Sequence, residues 1–378
     1  TGPLGGTLWI LLSNALIYGC LRSLVYGNVT GRRRVALFSF TAVLIAVPMI
    51  LSAIIYSGYK ETDNPVEVVA LQPNIDSYTE KHGGLSQEVQ DETMISLAES
   101  AVTENTKYVI TPETFSYNFQ LDSPQSNSTY RSVLSFLERH PQVNFILGTL
   151  SYQFYYTNAK PTVTANKLGP DIWYDMYNTA IMIDTTGMRN YYHKSKLVAG
   201  VEIIPYQRYI PFLGDLVSKF GGSASSYARS DEVENLQTAQ GDNVGVMICY
   251  ESVYADYYRQ TALKGAGFNA VITNDGWWGD TPGYRQHFRY AALRCIENRR
   301  DVVHVANTGI TGIINQRGDV LSRTGWWEPV ALNGTVNLNS DLTFFTRNGD
   351  LVGRVSTFLF CLLLLALISK AVILKKKS

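Results

Sequence analysis

Three stretches without a charged residue constrain this chain more than any other feature of its sequence. Thr1–Leu21, Val35–Tyr59 and Val355–Ser369 contain no Asp, Glu, Lys or Arg, and the last continues through Lys370 to Leu374. A helix crosses the hydrocarbon core of a bilayer with about 20 apolar residues. The second stretch, 25 residues long, meets that requirement outright. The first opens on glycines and holds Asn14, and the third needs Lys370 to extend towards the interface, as a lysine near a helix end can. A buried core helix is the alternative for each. The preferred reading is three membrane spans, at residues 1–22, 35–59 and 354–374.

The basic residues orient these spans. Arg22, Arg32, Arg33 and Arg34 lie between the first two, and Lys375, Lys376 and Lys377 follow the third. Basic loops stay cytoplasmic. Residues 60 to about 352 are then expected outside, with 375–378 a cytoplasmic basic tail. A chain that starts at Thr1, not Met, and opens almost directly into a span reads as part of a longer membrane protein. A signal peptide is the alternative for the first stretch.

Composition narrows the class. Lys+Arg and Asp+Glu number 32 each, so the chain lacks the basic excess expected of a nucleic-acid binder. Charged residues make up 17%, below the roughly 25% of a soluble domain. Four cysteines in 378 residues exclude a disulfide scaffold. No CxxC or clustered His/Cys spacing suggests zinc, so no metal is expected.

Residues 65–345 alternate between strand and helix patterns, as an α/β domain of about 280 residues does. Strands are expected at Glu67–Leu71, Tyr108–Thr111, Asn144–Thr149, Thr179–Ile183, Val244–Cys249, Ala270–Thr273, Val302–Ala306 and Gly312–Asn315. Several are continuous apolar runs, the mark of strands buried on both faces. Helices are expected at Ser86–Glu104, Thr129–Arg139, Ser252–Lys264 and Arg285–Asn298, and loops at Tyr155–Asp171 and Ser223–Ser230.

In α/β sheets, ligands bind beyond the carboxyl ends of strands. Reactive side chains follow strands at Glu113 in YVITPET, Cys249 in VGVMICYES, and Asn274–Asp275 in AVITNDGWWG. The segment YYHKSKLVAGVEIIPY adds Lys194 and Glu202 after a turn at Gly187. Singly, each has a bland explanation: buried free cysteines are usually inert, a Pro-Glu pair is often a turn, and most lysines are solvated. Their joint occurrence carries the weight. Cys295 reads as helix packing, while Cys20 and Cys361 fall in the spans. His287 or His304 paired with Cys249 is a lesser alternative.

PETF around Glu113, YHKSKL around Lys194 and ICYES around Cys249 resemble, in order and spacing, the motifs of the nitrilase superfamily. The resemblance covers most of residues 65–345. The charge-free spans and the run NDGWWGDTPGYRQHFRYAALRCIENRRDVVHVANTGITGII make it most similar to the membrane-bound apolipoprotein N-acyltransferase family. That family has more N-terminal spans than the two seen here, and usually a proline where this chain has Ala199.

The resemblance implies an αββα sandwich flanked by transmembrane helices. It implies transfer of an acyl chain from a phospholipid, typically phosphatidylethanolamine, to the α-amine of S-diacylglyceryl-cysteine at the start of a lipoprotein. Cys249 would be the nucleophile, Glu113 the general base and Lys194 the oxyanion stabiliser. Glu202, Tyr250, Glu251 and Asn274 would support them, and Trp277 would stand near the lipid. No cofactor is implied. The place would be the bacterial inner membrane, with the catalytic domain on the periplasmic side. A thiolate is the reactive form of cysteine, a carboxylate in reach can take its proton, and an ammonium steadies the developing oxyanion. Gly276–Gly279 with Pro282 and Gly283 reads as a lid or a packed loop, and Trp326 and Trp327 as interfacial anchors or core. The alternatives are a membrane-tethered amidase or nitrilase acting on a small soluble substrate, and an inactive receptor or scaffold domain.

Overall fold

The computed structural model describes residues 2–27, 30–76, 79–80, 84–203 and 227–377. Of the expected loop at Ser223–Ser230, residues 223–226 lie outside them. The chain divides into two compact units, residues 62–342 and the two ends, 1–61 with 343–378.

The larger unit contains two β-sheets. In the first, β1 (Pro65–Gln72), β2 (Thr106–Ile110), β4 (Asn144–Tyr156) and β6 (Ile172–Asp184) are successive neighbours. β14 (Val330–Asn337) closes one edge on β1 and β5 (Asn166–Gly169) the other on β6, with β3 (Ser116–Gln120) on β4 and β7 (Gly187–His193) on β6. The second sheet runs in the order β13 (Val320–Arg323), β12 (Gly312–Ile314), β11 (Val302–Ala306), β10 (Phe268–Thr273), β9 (Asn243–Ile248), β8 (Asn235–Gln237). Its centre is parallel, with Val271 opposite Met247 on one side and His304 on the other.

The layering follows from the period of two along each strand. Val68 and Ala70 of β1, Tyr108 and Ile110 of β2, Val244, Val246 and Ile248 of β9, and Ala270 and Ile272 of β10 share one core between the sheets. The residues between them point away. Val69, Leu71 and Val109 meet the helices Gln87–Ala101 (α3) and Ser128–Arg139 (α4) through Met94, Ala98, Val133 and Phe136. Met247 and Val271 meet Ala255–Leu263 (α5) and Pro282–Asn298 (α6) through Tyr258, Ala291 and Cys295. The result is helix, sheet, sheet, helix: the expected αββα sandwich.

Local differences from the sequence reading have local causes. Tyr155–Asp171 is not all loop, because β4 continues to Tyr156 and pairs in register with β6 as far as Tyr156 opposite Ile172. The helix expected from Ser252 begins as a 3₁₀ turn at Cys249–Val253, and the α-helix starts at Ala255.

The smaller unit contains Pro3–Tyr26 (α1), Gly31–Gly58 (α2), the short Phe344–Asn348 (α7) and Leu351–Lys377 (α8). α1, α2 and the C-terminal helix are long and apolar enough to cross a membrane, by length and composition. At 1.5 Å per residue, 24 residues extend about 36 Å, against about 30 Å of hydrocarbon. Their Leu, Ile, Val and Phe side chains are largely exposed. Polar contacts between α1 and α2 include Trp9 Nε1 donating to the Leu44 carbonyl at 2.9 Å, and Cys20 Sγ 3.4 Å from Thr41 Oγ1.

Candidate active site

The expected site residues leave the strands at one end of the sandwich. Glu113 sits in the loop after β2. That loop docks along β4: Thr111 and Phe115 donate their N–H groups to Ile146 and Gly148, and the Gly148 N–H returns to Thr111 Oγ1 at 2.9 Å. A Cβ at Gly148 would lie 2.2 Å from the Pro112 carbonyl oxygen, so only glycine permits this approach. Lys194 follows β7, and its N–H extends the pairing by donating to Asn178 O at 2.8 Å.

Glu113, Lys194 and Glu202 converge. Lys194 Nζ is 3.0 Å from Glu113 Oε1 and 2.9 Å from Glu202 Oε1, with 1% of its side chain exposed. Burial alone would lower the lysine pKa, but Glu113 and Glu202 outweigh it and hold the ammonium well above its usual value. Glu113 Oε2 accepts the Asn274 N–H at 3.2 Å. Asn274 is thus placed at the site by its backbone, while its side chain accepts from Asn307 Nδ2 at 3.2 Å. Glu202 is held by its own turn, with Oε2 accepting the Val198 N–H at 2.8 Å and the Val198 carbonyl accepting the Glu202 N–H. Ala199 pairs with Ile203, and Gly200 takes a positive φ of 86°. In this way the turn at Val198–Ile203 closes with alanine at position 199.

Cys249 follows β9 and takes a left-handed backbone, φ 53°. A non-glycine side chain in that region costs on the order of 1–3 kcal/mol and persists only where neighbours enforce it. Here they do. Ser252 Oγ donates to the Cys249 carbonyl at 2.9 Å, and His287 Nε2 lies 3.1 Å from the same oxygen. Burial, then Glu113, push the thiol pKa well above its usual value, against the opposing pull of Lys194. The resting group is therefore a thiol.

Glu251 is fully buried and binds the Cys249 turn to the Lys194 loop. Oε2 accepts the Ile248 N–H at 2.9 Å, while Oε1 accepts from Ser195 N at 2.7 Å, Lys196 N at 3.0 Å and Tyr192 Oη at 2.7 Å. Burial raises its pKa, although those donors lower it in part. Tyr250 is 40% and Trp277 46% exposed. Trp278 stands edge-on to His287, and Trp326 stacks on Tyr284 at 4.2 Å. Asp275–Trp278 forms a 3₁₀ turn and Pro282 starts α6.

Sequence reasoning missed Asn178, whose Nδ2 donates to both Glu113 Oε1 at 2.7 Å and Glu202 Oε1 at 2.9 Å. The available signal was a buried amide in the apolar strand run YNTAIMI. Asp275, His287 and His304 also bring ligand atoms within 4.8 Å of one another. His287 Nδ1 lies 3.0 Å from Asp275 Oδ1, within direct hydrogen-bond distance.

Residues 70–340 match the model of the carbon-nitrogen hydrolase family. The chain belongs to that family. Its fold is shared with Nit3 of Saccharomyces cerevisiae, a nitrilase-superfamily member, at 15% identity and a TM-score of 0.51 over 74% of this chain and 92% of that one. Among curated relatives, the apolipoprotein N-acyltransferase of Chlorobaculum tepidum is 30% identical over 94% of this chain and 66% of its own length. Those of Geobacter metallireducens and Thermotoga maritima are 25% and 26% identical, each over 93% of this chain and over 62% and 59% of their own lengths. The chain thus spans roughly three-fifths to two-thirds of the relatives it matches.

Proposed function

We propose that the protein transfers an acyl chain from a membrane phospholipid, through a thioester on Cys249, to the N-terminal amine of a diacylglyceryl lipoprotein. The observation that carries this is the convergence of Glu113 and Lys194, with Cys249 on its enforced turn, in a chain whose relatives bear that activity in their names.

Each step assigns a place to the proton. As Cys249 Sγ attacks the ester carbonyl, Glu113 takes the thiol proton. Lys194 stabilises the oxygen that becomes negative, an effect for which loss of one donor typically costs 10² to 10³ in rate. Collapse expels the lysophospholipid alkoxide, which recovers the proton from Glu113 and leaves the thioester. The neutral amine then attacks, Glu113 accepts its proton, and the departing thiolate of Cys249 is reprotonated as the amide forms. Glu202 and Asn178 keep Lys194 and Glu113 in register, and Glu251 keeps the two loops together. The exposed Tyr250 and Trp277 offer apolar surface to an acyl chain. α1, α2 and α8 are membrane spans in this reading. The arginines at 32–34 and the lysines at 375–377 mark the cytoplasmic side, and the larger unit lies in the periplasm.

The test is mass spectrometry of Cys249 after incubation with phosphatidylethanolamine. A gain of one acyl chain, absent from Cys249→Ala, followed by its passage to a diacylglyceryl peptide, is the expected result. Hydrolysis of small amides with no label passing from lipid to peptide would replace this reading with the hydrolase one.

A further inference from the structure

We propose that Asp275 and His287 form a positioning dyad that holds the Cys249–Tyr250 peptide, and with it the nucleophile's left-handed turn, in the geometry needed for acylation. The inference rests on the reading of Cys249 as nucleophile and assigns its support.

The Cys249 carbonyl can only accept, so His287 Nε2, 3.1 Å away, carries a hydrogen. On the other side of the ring, Nδ1 lies 3.0 Å from Asp275 Oδ1, which Thr273 Oγ1 at the end of β10 also holds at 2.8 Å. Asp275 and His287 are 1% and 3% exposed. A chain of contacts therefore runs from the central strand of the second sheet, through carboxylate and imidazole, to one backbone oxygen. That oxygen belongs to Cys249, whose backbone is left-handed. Peptides are planar and trans, so fixing the Cys249 C=O also fixes the Tyr250 N–H, which points the opposite way. A swing of this one plane would move the thiol and that N–H together. Ser252 shares the carbonyl and lies 2.9 Å from His287 Nε2, so the turn is braced from two directions.

The protonation state suits the role. Burial alone would lower the His287 pKa, but Asp275 and the Cys249 carbonyl outweigh it and raise it. The charged and titratable groups facing it are Asp275 after β10, His304 on β11, Glu113 after β2, and Cys249 on the turn against its helix. His304 is neutral there, since burial pushes it down to about 4. An imidazolium satisfies both partners at once, donating from Nδ1 to Asp275 and from Nε2 to Cys249.

The experiment is rapid-mixing acylation of the full chain in micelles by a p-nitrophenyl acyl ester, with the nitrophenolate burst followed against ester concentration and pH. His287→Ala is expected to slow the burst constant roughly 10- to 100-fold, as small misplacements of a reacting group do, with ester affinity within about twofold. His287→Gln, which keeps a donor for the carbonyl, should recover much of the rate. Asp275→Asn should shift loss of rate to lower pH, because the imidazolium loses its counter-charge. A wild-type burst constant in folded His287→Ala overturns the dyad alone. So do equally slow Ala and Gln variants with the wild-type pH profile and a lowered melting temperature, since that is packing only. A wild-type protein with no burst overturns the nucleophile and the dyad together.

Discussion

Asn178 Nδ2 lies 2.7 Å from Glu113 Oε1, a hydrogen bond from the middle of β6 to the loop that ends β2. The same nitrogen reaches Glu202 Oε1 at 2.9 Å, so one neutral amide and one ammonium bridge two buried carboxylates. Asn178→Ala leaves Lys194 to do this alone. We expect acylation to slow roughly 10- to 100-fold and stability to fall by about 1–3 kcal/mol, the cost of an unmet buried polar group. Asn178→Asp should be worse, because it sets a third carboxylate around a single cation. Burst kinetics and thermal melts check both; an Asp variant as active as the wild type would refute the arrangement.

Gly148 carries the second prediction. Its missing side chain is the space occupied by the Pro112 carbonyl, and a Cβ there would also lie 3.0 Å from Glu113 Cα. Gly148→Ala must push the Glu113 loop outwards without touching a reacting group. Overpacking of this kind costs about 1–3 kcal/mol. The burst constant should fall while the melt stays cooperative. Unchanged kinetics would mean that the Glu113 position does not depend on this contact.

How legible each part was depended on what its residues face. β9, β10 and β11 are mostly apolar, broken by Asn243, Asn269, Thr273 and His304, because each is covered on both faces, and the sequence shows that directly. Val320–Arg323 has no fully buried residue, and nothing in its composition separates it from a loop. Val330–Asn337 holds Asn333-Gly334, a turn signal, yet pairs along its whole length with Pro65–Gln72. A Cβ at Gly334 would fall 2.4 Å from Ile313 Cδ1, so the glycine lets that side chain pack against the strand. Tertiary packing overrules the local preference. Glu113, Lys194 and Cys249 were legible because each follows a strand or strand-like run within a recognisable motif. Asn178 was not, since an amide in an apolar strand shows its partners only once the strands are paired. The bracing role of His287 was hidden likewise, because its partner is a backbone oxygen 38 positions away.

Glu251 is the third test. Its two oxygens accept four donors from two segments, Ile248 on the strand before Cys249, and Tyr192, Ser195 and Lys196 around Lys194. Glu251→Gln turns one oxygen into a donor and sets it against a donor already in place. A loss of about 1–3 kcal/mol is expected, with Cys249 and Lys194 no longer in register, so that the acylation rate falls more than ester affinity. A Gln variant with the wild-type rate would show that the two loops hold their places independently.

Acid sensitivity provides the last test. Burial pushes His193 down to about 4, and burial with the neighbouring His287 does the same to His304. In the unfolded chain both titrate near 6.5. A group with a depressed folded pKa contributes stability that is present above its unfolded pKa and is lost as pH falls towards the folded one. The unfolded state therefore takes up protons between pH 6.5 and 4 that the folded state refuses. The loss should approach ~3 kcal/mol per histidine by pH 4. Carboxylates also titrate at the lower end, so the informative quantity is a difference in slope. Denaturant midpoints of the full chain at pH 7, 5.5 and 4.5 should fall more steeply for the wild type than for His304→Gln, whatever the variant's absolute stability. Equal slopes would mean that His304 is protonated in the fold, and would remove it as the neutral neighbour of His287.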